Sequence, residues 1–494
     1  MSSPRRFSPQ AVLFAALLAG GAFSCRVDRI GTGEIVTATD AAADVAEAQP
    51  DIDAPDTDAD GSAGSDGAAD ASAEDVFFDA DACEPVTCQQ LGATCGSPQD
   101  GCGQALSCGL CPSGQGCGEG HCVGVRYVVP LGAGTQDGTS WDNALPSVQA
   151  GVDKAEAGDE IWVARGTYTS QTPGVPVATL KPGVRLFGGF AGTEQERSAR
   201  DVEGNPTTLD GTNTNRVVQG ATDILVDGFV LRAGNVGDNG AGMWLVSAQG
   251  AQIANCIFQQ NSAGVWGAGI YALDSSVSVT RSRFEGNNAR QGGGLFNDHS
   301  TITVDSCVFD GNTVDNSSGG GGAVFNFGGP ATITNSVFYR NRATPYFGGA
   351  VYNSGDQAFR FVNCTFYGNQ ADQSGGAMFD NVGAKPVLIN SILWGDSPDE
   401  IYDWSGSGPP SISYSDVQGV DGGVGNINAD PGFEDAPSGK LGLTSGSPCI
   451  DSANGTDAPA ADALGHPRVD DPATPNTGAG TPDYADMGAY EYQP

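Results

Sequence analysis

From Ile253 to Asp396 the chain repeats one arrangement of apolar and polar positions six times. Each copy centres on a large apolar residue with Asn or Asp three positions later: Phe258/Asn261, Phe284/Asn287, Phe309/Asn312, Phe338/Asn341, Phe366/Asn369 and Leu393/Asp396. The centres lie 26, 25, 29, 28 and 27 residues apart. Between them a second phrase recurs: Gly267-Ala268-Gly269-Ile270, Gly292-Gly293-Gly294-Leu295, Gly321-Gly322-Ala323-Val324, Gly348-Gly349-Ala350-Val351 and Gly375-Gly376-Ala377-Met378. A period of this size is the mark of a solenoid, in which each copy is one coil that buries its apolar face only against its neighbours.

The strands are legible inside each copy. Two positions before the centre stand Cys256, Ser282, Cys307, Ser336, Cys364 and Ser391, on the same strand face as the centre because the strand period is two. Five positions before it stand Ile253, Val279, Val304, Ile333, Phe361 and Leu388. The odd step between these two sets requires a bend. The bend holds Asn255, Asn335, Asn363 and Asn390, with Arg281 and Ser306 as exceptions. Asn tolerates the left-handed conformation of a tight corner. The Asn three positions after the centre is expected to turn the next corner in the same way, and stacked Asn side chains can bond along the axis. Short strands, two corners and this period predict an all-β fold: a right-handed parallel β-helix over 126–426, each coil rising ~4.8 Å. Cysteines in alternate coils are then ~9.6 Å apart, too far for a disulfide. Ahead of the repeats, Leu145 to Ala157 reads as an amphipathic helix covering the open first coil, followed by strands at Glu160–Ala164 and Val184–Phe187. Residues 427–494 form a C-terminal tail or cap.

Composition narrows the function. The 494 residues include 74 Gly, 22 Lys plus Arg and 59 Asp plus Glu, for a net charge of −37. Such a chain lacks the clustered cations that nucleic acid or an anionic lipid surface requires. After residue 25 no apolar run reaches the ~18–20 residues of a membrane-spanning helix. Residues 1–25 read as an export signal, with Arg5-Arg6 before the apolar stretch Ala11–Phe23. Ala22-Phe23-Ser24-Cys25 resembles a bacterial lipobox, with Ala22 where Leu is usual. Cys25 is the candidate lipidation site, and plain secretion is the alternative. Residues 26–82 read as a disordered linker, since 31–82 hold 15 acidic residues and no basic ones. Within it Asp56–Gly61 mimics the start of a calcium loop but has Gly67 where the closing Glu belongs. Residues 83–122 hold Cys83, Cys88, Cys95, Cys102, Cys108, Cys111, Cys117 and Cys122 with few core-forming residues, which in an exported chain reads as a disulfide module. Eight cysteines allow 105 pairings. A zinc site would need a second pair to match Cys108-x2-Cys111, and none is present.

Several segments resemble known families. The paired phrases resemble the repeats of polymorphic outer membrane proteins, which are surface adhesins. Tyr127–Pro130, Gly138–Trp141, Gly158–Ala164, Gly166–Tyr168 and Gly188–Glu194 resemble the amino-terminal part of pectate-lyase-like right-handed β-helix proteins. Ser447–Asp451 and Asp486–Tyr492 are similar to the choice-of-anchor Q tail. These resemblances cover about 127 to 493 and imply the fold. They also imply an outer sheet face where carboxylates and a basic residue would act. One position after each centre an outward column runs Gln259, Glu285, Asp310, Tyr339, Tyr367, Trp394. Glu285 and Asp310 are the candidate catalytic or cation-holding carboxylates. Tyr339, Tyr367, Trp394, Arg283 and Arg340 are the candidate ligand-binding residues. His121, His299 and His466 have no metal-ligand spacing, and no metal or cofactor is predicted. The expected function is surface-displayed binding or adhesion to an extracellular polysaccharide or surface glycan. A polysaccharide lyase or hydrolase is the alternative, and a structural envelope spacer the second. The expected chain is a monomer, exported to the bacterial cell surface by a lipid anchor or secreted.

Overall fold

The computed structural model describes residues 85–494, apart from 113–114, 316–318, 405 and 407. The export signal with Cys25, the acidic linker with Asp56–Gly61, and Cys83 lie outside the described residues. Among those described, short strands stack into sheets of twelve, ten, nine and six strands, forming the right-handed parallel β-helix that the periodicity predicts. One coil shows the path. Ser276–Thr280 lies in the twelve-stranded sheet, Arg283–Glu285 in the ten-stranded, Asn288–Ala289 in the six-stranded and Leu295–Asp298 in the nine-stranded.

The repeat centres align in register as Phe258, Phe284, Phe309, Phe338, Phe366 and Leu393. The five Phe side chains are fully buried, and their rings stack at 4.4–5.0 Å with interplanar angles of 2–6°. Each contributes about 1.5–3 kcal/mol of burial.

The first corner behaves as the sequence predicts. Asn255, Arg281, Ser306, Asn335, Asn363 and Asn390 all take positive φ, between 44° and 54°. Arg281 and Ser306 adopt it as fully as the asparagines, so stacking on the neighbouring coils imposes the conformation. The second corner differs from expectation. The left-handed residue there is the one before the conserved-phase Asn: Gln260, Gly286, Gly311, Arg340, Gly368 and Gly395. The Asn itself turns inward and is at most 1% exposed through the five copies. Its side chain donates from Nδ2 to Oδ1 of the next coil: Asn261 to Asn287 at 2.9 Å, Asn287 to Asn312 at 2.8 Å, Asn312 to Asn341 at 3.0 Å, Asn341 to Asn369 at 2.9 Å, and Asn369 to Asp396 at 2.8 Å. The same Oδ1 accepts the backbone N–H of the preceding rung, and Nδ2 also donates to a carbonyl of the coil before. Each amide therefore satisfies backbone groups that the corner would leave buried and unpaired. Inside the nine-stranded sheet a shorter ladder runs from Asn326 to Asn353 and on to Asp380, at 2.9 Å per step.

The alternating Cys and Ser positions form a third internal column. Cys256 N–H donates to Ser282 Oγ, Ser282 N–H to Cys307 Sγ, Cys307 N–H to Ser336 Oγ, and Cys364 N–H to Ser391 Oγ. Cys256, Cys307 and Cys364 are unpaired and buried, and burial pushes their thiols up to about 12.

At the amino-terminal end three disulfides join Cys88 to Cys108, Cys95 to Cys117 and Cys111 to Cys122, and Cys102 is also disulfide-bonded. Disulfides of this density belong to an oxidising, extracytoplasmic setting. The module's hairpin strand His121–Val128 runs on into the solenoid and pairs with Glu160–Val163, so module and first coil share one strand. The helix is shorter than predicted, and we label it α1, Val148–Lys154. Leu145 precedes Pro146, which disfavours helical geometry at the residue before it, and pairs with Val128 instead. Ser147 then caps α1, its Oγ accepting the Ala150 N–H at 3.2 Å.

Two outcomes are expected. Asn312→Ala removes both donors and both accepted bonds of a fully buried rung, and should cost about 2–5 kcal/mol in denaturant unfolding, whereas Thr303→Ala on the exposed face should stay within about 0.5 kcal/mol. Alkylation with mass mapping should label Cys256, Cys307 and Cys364 only after denaturation. A disulfide between any two of them would contradict the register.

Candidate functional site

The outward column of the ten-stranded sheet aligns as predicted, with Gln259, Glu285, Asp310, Tyr339, Tyr367 and Trp394 in register. Its two ends meet different surroundings. Glu285 is bound by Arg283 Nε at 2.6 Å and by Gln259 Nε2 at 3.3 Å. Asp310 receives both oxygens' worth of Arg340, with Nη2 at 3.0 and 3.1 Å, and the Arg340 guanidinium lies 4.1 Å over the Tyr339 ring. Each candidate carboxylate thus has its own arginine. The pair forms a charge-balanced face that can hydrogen-bond a polar ligand through its remaining lone pairs and N–H groups.

The three aromatics do not form an open platform. Tyr339 is 5% exposed, and its hydroxyl donates to Pro437 O at 2.6 Å. Phe433 sits edge-on to Tyr367 at 5.7 Å, and Trp394 packs against the cluster of Leu443, Cys449 and Ile450. The tail has folded back along the outer face, because three aromatics in line would otherwise leave a continuous apolar stripe in water. Corner asparagines hold it there. Asn363 Nδ2 donates to Asp486 O and Gly488 O, Asn390 Nδ2 to Asn454 O, and Asn335 Nδ2 to Ala461 O. With few strands of its own, the tail satisfies its backbone through carboxylates. Asp486 accepts the N–H groups of Asp451 and Tyr492, and Glu491 accepts Val469 N–H and the buried Arg468.

Toward the amino-terminal end the same sheet edge stays open, and sequence reasoning missed what lies there. A trough of about 520 Å³ is walled on one side by Arg197, Arg200 and Glu203 and on the other by Asn255, Arg281 and Arg283. Arg197 joins Glu119 of the disulfide module to the buried Glu160, both at 2.6 Å. Arg200 is committed to Asp227 at 2.7 Å. Arg281 bonds Asn255 Oδ1 through Nε at 3.0 Å, and among the described residues it has no carboxylate within ion-pair distance. Of the four arginines lining the trough, Arg281 is thus the one without a carboxylate partner among the described residues. Arg281 was visible in the sequence as an odd residue at the Asn corner. Arg197 and Arg200 carried no periodic signal.

A second column escaped notice on the outer face of the nine-stranded sheet: Trp244, Tyr271, Phe296, Phe325, Tyr352, Phe379 and Tyr402, in register. The aromatic one residue after each glycine phrase was its signal. Tyr271 Oη and His299 Nδ1 both meet Asp298, each at 2.7 Å. His121 opens the hairpin strand, His299 lies in the bend after Leu295–Asp298, and His466 lies in the tail. Among the described residues, the three potential metal-ligand atoms found close together are the sulfurs of Cys95, Cys111 and Cys122, which are committed to disulfides.

The repeat of the Chlamydia polymorphic membrane protein matches residues 255–273. Over 165 residues the chain is 31% identical to the metabotropic glutamate receptor-like protein R of Dictyostelium discoideum, a match taking in 28% of this chain and 10% of that protein. The chain therefore spans about a tenth of the length of this curated relative. Among solved structures it is similar to a pectate lyase, with a TM-score of 0.41 and 15% identity over 75% of this chain and 96% of that one. It is also similar to a rhamnogalacturonan lyase, with a TM-score of 0.35 and 11% identity over 63% and 90%. An alginate lyase from Paenibacillus sp. is matched with a TM-score of 0.29 and 14% identity over 54% and 94%.

Burial raises the carboxyl of Asp486, with Glu491 adding to it, and lifts Asp416 beneath the tail to about 6. A folded-state pKa above the unfolded value of ~4 means the folded chain holds more protons. Stability from these groups is full below about pH 4 and is lost as pH rises through their folded pKa values. Asp137 and Glu194 are shifted downward, so their opposite effect falls below pH 5. The urea midpoint should therefore be higher at pH 5.5 than at pH 8.

Proposed function

We propose that this chain is an extracellular binding protein whose solenoid presents the Arg281–Arg283 trough to an acidic carbohydrate, in keeping with surface attachment or adhesion. The observation that carries this reading is Arg281 at the trough: among the described residues it has no carboxylate within ion-pair distance, and Arg283 beside it is half exposed. Arginine forks match carboxylate or sulfate groups in two-bond geometry. Glu285, Asp310 and Arg340 continue the polar face beyond the trough and can take up sugar hydroxyls. The disulfides support an extracellular setting. Lipid anchoring through Cys25 is an additional proposal, tested by metabolic labelling with a fatty-acid analogue.

The function is tested on a polysaccharide array with the purified chain, followed by an assay of every bound sugar for cleavage. Acidic polysaccharides should be retained, with affinity falling as ionic strength rises. Arg281→Ala with Arg283→Ala should weaken retention by at least about tenfold, one lost charge-assisted contact being worth ~1.5–3 kcal/mol. Tyr339→Phe, under the tail, should leave retention unchanged. Cleavage of the bound sugar would replace this reading by an enzymatic one, and preference for neutral sugars would remove the trough as the site.

A further inference from the structure

We propose that Asp396 and Glu400 share a single proton at neutral pH and so form an acid latch that closes the coil from Val387 to Asp403 and loosens as pH rises. The inference is independent of any carbohydrate ligand. It starts from the asparagine ladder. Five rungs are amides that both donate and accept. The sixth is Asp396, which can only accept, and Asn369 Nδ2 donates to its Oδ1 at 2.8 Å. The other oxygen, Oδ2, is buried without a hydrogen-bond partner. Four residues on, Glu400 Oε1 accepts the Asp396 backbone N–H at 3.1 Å, while Glu400 Oε2 is likewise buried and unpartnered. The two carboxyls are in side-chain contact, and the residues are 8% and 6% exposed.

Two ionised carboxylates in contact, this far from water, repel each other and forfeit their hydration. One proton removes the repulsion. On either carboxyl it donates to the other, and both orphaned oxygens gain a bond at once. The neighbours supply no counter-charge. From the preceding coil come the Asn369 amide and the Tyr367 ring, which packs against Gly395. From the following coil comes Gln418, whose Oε1 accepts Gly395 N–H. Asp399 in the same loop accepts Gly375 N–H, and Asp403 of this coil and Asp380 of the one before are further acids. Among the described residues no Lys, Arg or His is bonded to either carboxyl, the nearest ion pair in sequence, Arg342–Asp372, being closed on itself. Burial raises both titrations, and the charge of Asp396 raises that of Glu400 further.

The loop that carries the pair holds this coil to the one before it. Ser397 N–H donates to Asn369 O, Ala371 N–H to Ser397 O, and the N–H groups of Ala377 and Met378 to Glu400 O. Charging both carboxyls pushes apart the two residues at the ends of this stitch.

The test is reversible unfolding of the full chain across pH 6.5–9, for the natural sequence and for Asp396→Asn, Glu400→Gln and both together. An amide at either position donates to the remaining carboxylate, so no proton is needed. The natural chain should lose folding equilibrium constant about tenfold more per pH unit than the double variant, the signature of one extra proton held in the folded state. Either single variant serves if another fails to fold. Equal pH slopes for natural chain and variants would overturn the proposal. Stabilisation of the natural chain alone by added calcium at fixed pH would also overturn it, assigning the pair to a cation.

Discussion

Everything in this molecule depends on one constraint: each coil makes sharp corners, and the backbone groups at those corners face inward. In an ordinary sheet they would find a neighbouring strand or water. In the solenoid interior they find a column of side-chain amides. Asn287 shows how complete the exchange is. Its Oδ1 accepts two N–H groups from Asn261, and its Nδ2 serves both Phe258 O and Asn312 Oδ1. A buried unpaired amide group costs about 1–3 kcal/mol, so a slip by one residue in any coil would forfeit several such bonds together. The ladder therefore sets the register, and the register sets which side chains share an outer column.

That register explains where a ligand can bind. Glu285 stands beside Asp310, and Asp310 meets Arg340, only because their coils stack without offset. The column continues into aromatics, and there the tail takes over the surface. Asn335, Asn363 and Asn390 use the outward amide of a left-handed corner to grip the tail. The corresponding corners nearer the amino terminus carry Arg281 and Ser306 in place of the amide. One backbone position thus serves two ends, as an anchor where it is Asn and as part of the trough where it is Arg.

The ladder must also stop, and both internal amide columns stop at acids in successive coils, Asp380 and Asp396. An acid accepts from the amide behind it and has no donor of its own to offer. Burial lifts Asp380 to about 7. The carboxy-terminal end of the solenoid is therefore the part whose bonding varies with pH, while the amide column ahead of it does not titrate.

Period, strand faces, the left-handed corners and the separation of alternate cysteines were all legible in the sequence. Each is a local property repeated until it becomes unmistakable, and repetition fixes which coil meets which. The inward turn of the second-corner Asn was harder to see, since a left-handed Asn and an inward Asn beside a left-handed glycine leave the same trace at one-residue offset. Leu145 looked helical by spacing until Pro146 and the pairing with Val128 decided otherwise. The role of the aromatic column lay wholly outside local reasoning. Tyr339 in register with Asp310 reads as an exposed ring until a segment a hundred residues later folds over it. Arg197 and Arg200 belong to no repeat and reach the trough only through contacts with Glu160 and Asp227. Sequence alone determined the solenoid because its contacts join equivalent positions at a fixed period. Tertiary structure alone decided which part of its surface stays open, because the tail and the disulfide module meet that surface at positions with no periodic relation to it.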